Sequence, residues 1–190
     1  MNPFEVAGFI FGVIGVFLTI KVLVWCFPVG LINVTLSLVL FWQQKLYSDA
    51  FQQLVYMVLL SYGWWSWSQK KDDAPLPVTR MNVSMLVLSI SISIAVAAIA
   101  GFLLHRFTDA SMPYADAIAT SLSFLAQFLV AKKKIENWWI WIIVNIIYIG
   151  IYINKGLHFY ALLFAIYLAL AVYGLNTWKK QMTTLNRPTA

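Results

Sequence analysis

The chain has 190 residues, 62% of them apolar and only 11% charged, with a net charge of +6. A soluble domain of this length needs far more charge to cover its surface, and the apolar residues come in long runs rather than stripes, so lipid is the solvent they suit. The basic residues sit at the ends of those runs and not along one face, which argues against nucleic acid, and the single Cys26 excludes an internal disulfide or a cysteine metal cluster.

A crossing needs roughly 20 largely apolar residues, so the chain holds about seven spanning helices and no separate soluble domain. Glu5 precedes the first apolar run and no basic n-region exists, which reads against a cleavable signal. Segment one is expected over about Val6 to Ile20, and segment two over about Val24 to Trp42 with Pro28 near its start. Segment three covers about Phe51 to Trp67, followed by a polar loop from Gln69 to Arg80 with Pro75 and Pro77. Segment four is expected over about Val83 to Leu104, then His105 to Pro113 as a connection, then segment five from about Tyr114 to Ala131, closed by Lys132, Lys133 and Lys134. Segment six runs from about Trp138 to Ile153 and segment seven from about Tyr160 to Trp178, with a polar tail after Lys179 expected to be disordered. Segments one and two could merge into one helix; Pro28 and an internal repeat place a break near Lys21 to Trp25.

The repeat organises the chain. Asn33, Tyr56, Tyr62-Gly63 and Trp67 recur as Asn145, Tyr167, Tyr173-Gly174 and Trp178. From Tyr56 onward the offset is 111; Asn33 to Asn145 and Lys21 to Lys133 are 112 apart, a difference assigned to one residue of loop slippage. The units are a first three-helix repeat over 1–70, a linker with helix four over 71–113, a second repeat over 114–180 and a polar tail over 181–190. Three helices plus one bring the second repeat in on the same side as the first, so the repeats are parallel, an arrangement found in transporters that hold substrate near the midplane. Lys45, Arg106 and Lys155 fall on the side of the N-terminus. Lys21, Lys70, Lys71, Arg80, Lys132, Lys133, Lys134, Lys179, Lys180 and Arg187 fall on the other, which places the C-terminus in the cytoplasm.

An unpaired polar group in hydrocarbon costs several kcal/mol, so mid-membrane polar residues need a reason. Asn33, Gln52, Gln53, Ser123, Gln127, Asn145 and Asn176 are the candidates. Trp138, Trp141 and Asn145 share a helical face at i, i+3 and i+7, and Trp64 and Trp67 are spaced like the two tryptophans. Two plainer readings stand beside a binding role. Tryptophans at helix ends form headgroup belts, the expectation for Trp67 and Trp139, and a mid-helix asparagine such as Asn33 or Asn145 can be interhelical glue. Tyr56 and Tyr167 serve packing or the site. Glu5, Asp49, Asp72, Asp73, Asp109, Asp116 and Glu136 all fall at ends or in loops, so no segment carries the central carboxylate usual in proton- or sodium-coupled carriers. His105 and His158 lie far apart, and no phosphate-binding Gly-rich loop or nucleophile–base pair occurs, so neither metal, cofactor nor enzyme chemistry is expected. Aromatic faces and amides suit a flat, polar, cationic ligand.

At these residues the chain resembles the PnuC vitamin transporters. The resemblance rests on Asp116…Thr120…Ser123…Ala126-Gln127, Lys133, Glu136-Asn137-Trp138, Trp141 and Asn145. In the first half it rests on Gly30-Leu31-Ile32-Asn33-Val34, Gln43, Tyr47, Gln53 and Tyr62-Gly63-Trp64…Trp67, and in all it spans about Phe4 to Trp178. It implies an all-α fold of seven transmembrane helices in a 3+1+3 parallel repeat similar to the SWEET transporters. It implies a carrier in the bacterial inner membrane taking up nicotinamide riboside by facilitated diffusion, as a homotrimer, with a cytosolic kinase trapping the substrate. Sister members carry riboflavin or thiamine, which keeps another vitamin open; an ion channel would need a continuous polar face or charged ring, which is not seen. Substrate-binding residues are then expected at Trp138, Trp141, Asn145, Asn33, Gln53, Gln127, Trp64, Asn176 and Tyr56.

Overall fold

The computed structural model describes residues 3–69, 77–108 and 111–185, with side chains left out at 3–6, 47, 48, 184 and 185. Lys70, Lys71, Asp72, Asp73, Pro75, Asp109, Arg187 and the Glu5 side chain lie outside the described residues. The described chain forms seven helices: α1 Pro3–Ile20, α2 Cys26–Gln43, α3 Tyr47–Ser68, α4 Val83–Phe107, α5 Pro113–Ala131, α6 Glu136–Asn154 and α7 His158–Leu185. Five of them are long and apolar enough to cross a membrane, and α1 has a shorter apolar stretch over Ala7–Ile20. Helix α3 is less apolar because it carries Gln52, Gln53, Ser61 and Ser68, but its 22 residues reach about 33 Å, enough to cross. Helix α7 continues beyond Trp178 to Leu185, where a disordered tail was expected. No glycine or proline follows until Pro188, so nothing stops the helix as it leaves the apolar layer.

Each repeat is stitched by two identical turns. Val22, Lys45 and Lys133 have positive φ, at 57°, 60° and 49°, and Gly156 has 71°. At the first, the Val22 N–H donates to the Thr19 carbonyl and the Leu23 N–H to the Leu18 carbonyl, which closes a left-handed cap that satisfies the last carbonyls of α1. The same pair of bonds recurs at Lys45–Leu46, Lys133–Lys134 and Gly156–Leu157. Val22 pairs with Lys133 and Lys45 with Gly156, each 111 residues on. The structural register is therefore 111 throughout, and the 112 offset is corrected: Lys21 matches Lys132, Asn33 matches Val144, and Asn145 matches Val34.

Helix packing follows the same symmetry. Helix α2 packs against α1 and α3, α6 packs against α5 and α7, and the halves meet along α3–α5 and α1–α7. Exchanging each helix for its repeat partner leaves this pattern unchanged. Helix α4 lies outside the ring against α5, where Ser121 Oγ donates to the Ser93 carbonyl at 2.8 Å.

Candidate functional site

Helix α6 turns one face inward. Trp138 and Asn145 are buried, at 2% and 3% exposure, and Trp141 between them touches both apolar clusters of the core. Position 174 on α7 is glycine because a Cβ there would meet the Trp138 ring at 2.6 Å. The Trp138 Nε1–H is buried without an acceptor. The Asn145 carboxamide makes none of the side-chain hydrogen bonds found among the described residues. Helix glue requires a partner on a neighbouring helix. An enclosed indole N–H and a carboxamide that both lack a partner among the described residues are groups left for a ligand or water.

A second polar group faces this region from α3 and α5. The Tyr56 ring packs edge-on against Phe124 with centroids 5.3 Å apart, and its hydroxyl has Ser123 and Gln52 as neighbours. The Tyr148 hydroxyl on α6 lies 3.4 Å from Thr120 Oγ1 and shares Gln52 and Ser123. Gln53 and Gln127 are half-buried. Asn33 sits elsewhere: its carboxamide lies against Gly8 and Gly12 of α1, where the Tyr167 hydroxyl also approaches Gly12. In the 111 register the two asparagines are not repeat mates.

Two expected site residues lie apart from this group. Trp64 is 43% exposed and shares an outer face of α3 with Ser61, Trp65 and Ser68. Asn176 is exposed, two residues from buried Trp178 and so nearly opposite it on α7. Conversely, Trp67 is no headgroup-belt residue: it is buried, and its Nε1–H donates to the Val130 carbonyl at 3.1 Å. Trp139 does sit outside, 52% exposed, with Lys179 Nζ 5.2 Å from its ring centre. Phe27, Trp178, Tyr148 and Lys133 went unselected by sequence reasoning. The 111 register finds Phe27 directly as the counterpart of Trp138.

Phe27, Trp67, Trp138, Trp178 and Lys133 form a layer at the lysine-rich end, whereas Tyr148 lies toward the other end beside Thr120. Phe27 meets Trp67 edge-on at 5.0 Å, and Trp138 meets Trp178 edge-on at 5.4 Å. Gly63 admits Phe27 as Gly174 admits Trp138. Lys133, in the α5–α6 turn, is buried with its Nζ 4.4 Å from the Trp67 ring centre, and burial pushes its ammonium down to about 8.

A family model described as nicotinamide mononucleotide transporter matches residues 2–180. The chain belongs to this family. Among the proteins it resembles is the nicotinamide riboside transporter PnuC of Escherichia coli (strain K12), 26% identical over 78% of this chain and 73% of that protein. The riboflavin/roseoflavin transporter RibM of Streptomyces davaonensis is 25% identical over 97% of this chain and 88% of that protein. The crystal structure of the vitamin B3 transporter PnuC shares the fold, with a TM-score of 0.76 at 23% identity over 96% of this chain and 84% of that one. Two features expected from the family resemblance therefore hold: an all-helical integral membrane fold and a transporter family.

Proposed function

We propose that this protein carries nicotinamide riboside by facilitated diffusion, bound between the repeats on the α6 face of Trp138, Trp141 and Asn145. The observation that carries the reading is Asn145, buried as a residue and making no side-chain hydrogen bond among the described residues, one helical turn from Trp141 and two from Trp138, whose buried Nε1–H also lacks an acceptor there. Indole faces attract a pyridinium and stack on its ring, while the amide and the Trp138 N–H meet a carboxamide or ribose hydroxyls. Tyr56, Gln52, Ser123, Gln53 and Gln127 line the approach from α3 and α5. Asn33, Trp64 and Asn176 are left out of the site, Asn33 because it packs against α1 and the other two because they are exposed. The similarity to the E. coli nicotinamide riboside transporter supports this choice of vitamin.

The same reading has the carrier work as a homotrimer in a bacterial inner membrane, N-terminus outside, with a cytosolic nicotinamide riboside kinase trapping the product. The lysine-rich end of the bundle supports that orientation. A second reading, riboflavin, is favoured by the alignment with RibM over 97% of the chain. Calorimetric titration of the purified protein with nicotinamide riboside, thiamine and riboflavin tests both. Tight binding of nicotinamide riboside and not riboflavin is the expected result; the reverse replaces the first reading with the second.

A further inference from the structure

The molecule divides into two bodies at the seams α3–α5 and α1–α7. The first is α1 to α3. The second is α5 to α7 with α4 fastened to it. The fastening is dense: the Thr79 N–H donates to the Lys133 carbonyl and the Ile135 N–H to the Thr79 carbonyl, both at 3.0 Å. Lys134 Nζ donates to Thr79 Oγ1 at 2.9 Å, and the Met81 N–H donates to Glu136 Oε2 at 3.0 Å. With Ser121 bonded to Ser93, α4 and residues 79–81 before it belong to the second repeat.

Across both seams, at the lysine-rich end, one indole bonds each body to the other. Trp67 of the first body donates to the Val130 carbonyl of the second at 3.1 Å. Trp178 of the second donates to the Ile20 and Thr19 carbonyls of the first, at 3.2 and 3.3 Å. Thr19 and Val130 are themselves 111 residues apart, so the bonds are symmetry mates. The two indoles lie with their ring centres 6.3 Å apart between the bodies. Phe27 and Trp138 close the flanks, and Trp178 and Phe27 are fully buried. At the other end the α3–α5 seam instead brings together two carboxylates, Asp49 and Asp116, which repel, with Lys155 as a partial offset.

We infer that Trp67 and Trp178 form a two-part latch that holds the lysine-rich end shut, and that both indole hydrogen bonds break when that end opens during transport. This rests on the transport activity of the family and not on which vitamin is carried. All three acceptors are carbonyls in the last turns of α1 and α5; Thr19 and Val130 also accept the cap N–H groups of Val22 and Lys133, so they stay bonded when the indoles leave, and water can take the vacated lone pairs once the end opens. Replacing an indole by phenyl keeps a ring in the layer and removes only the donor.

Cys26, the one cysteine, lies in this layer and is buried at 4% exposure, so it reports the opening directly. The experiment measures the rate of Cys26 modification by N-ethylmaleimide in proteoliposomes. Loss of one hydrogen bond shifts the closed–open balance by roughly 2- to 10-fold, so Trp67→Phe and Trp178→Phe should each speed labelling by that factor, and the double variant by about the product. A loosened fold would also expose Cys26. The control is Ala119→Cys on a Cys26→Ser background, at a fully buried position on α5 nearer the other end. Protection at 119 alongside faster labelling at 26 supports the latch. An unchanged rate at Cys26 in the double variant, or an equal rise at both positions, overturns it.

Discussion

At Asn145, a buried residue makes no side-chain hydrogen bond among the described residues, which makes it the sharpest test of the site. Losing an amide that bonds a buried ligand group costs about 1–3 kcal/mol, or roughly 5- to 150-fold in affinity. Asn145→Leu is expected to lose high-affinity nicotinamide riboside binding in calorimetry while the folded assembly persists. Binding as tight as wild type would make the amide a packing element. Trp141→Phe should weaken binding and retain it, because the smaller ring still offers a π face. Lys133 gives a test of another kind. Burial lowers its ammonium from 10.5 to about 8, with Cys26 as a polar neighbour. Between those values the unfolded chain binds more protons than the folded one, so stability should rise with pH across that window and be flat in this term below it. Lys133→Met should remove the rise in thermal unfolding scans from about pH 7 to 11; an unchanged slope would assign it to another group.

Among the elements, the turns decide what a sequence can show. Gly156 announces its left-handed cap, but Val22, Lys45 and Lys133 hold the same conformation without glycine. Lys45 is exposed, so little packing offsets its backbone cost. Lys45→Gly is expected to stabilise the protein by about 1 kcal/mol, read as a raised unfolding temperature, and Gly156→Ala to destabilise it by a similar amount. The α1–α2 break was therefore legible through the repeat and Pro28, while the residue that makes it, Val22, was not: nothing local marks a β-branched residue as a cap. The register failed for a related reason. Asn33 and Asn145 look alike, but hydrogen bonds at the turns, invisible in sequence, pair them with Val144 and Val34. Helical spacing did reveal the inward face of Trp138, Trp141 and Asn145, since it depends only on the α6 period. It could not separate buried Trp67 from exposed Trp64, because both lie near the helix end where belt and core tryptophans share one pattern.

The distribution of charge over the whole molecule bears on what drives transport. The described acids with side chains, Asp49, Asp116 and Glu136, stand in the first turns of α3, α5 and α6, where helix dipoles favour anions. None stands at mid-membrane to carry a proton or hold a sodium ion along the path. With the membrane potential clamped to zero, uptake into kinase-free liposomes should therefore stop at equal concentrations inside and out, whatever proton or sodium gradient is imposed. Nicotinamide riboside nevertheless carries a fixed positive charge on its pyridinium. An inside-negative potential of about 100 mV is worth about 2.3 kcal/mol to a single charge, which corresponds to roughly 50-fold accumulation through a passive carrier. A potassium diffusion potential should produce that accumulation and its collapse should reverse it. Riboflavin, being neutral, would not respond, so the same liposomes also separate the two candidate vitamins. Accumulation driven by a proton or sodium gradient at clamped potential would mean that neutral oxygens in the bundle hold a coupling ion, and facilitated diffusion would be the wrong mechanism.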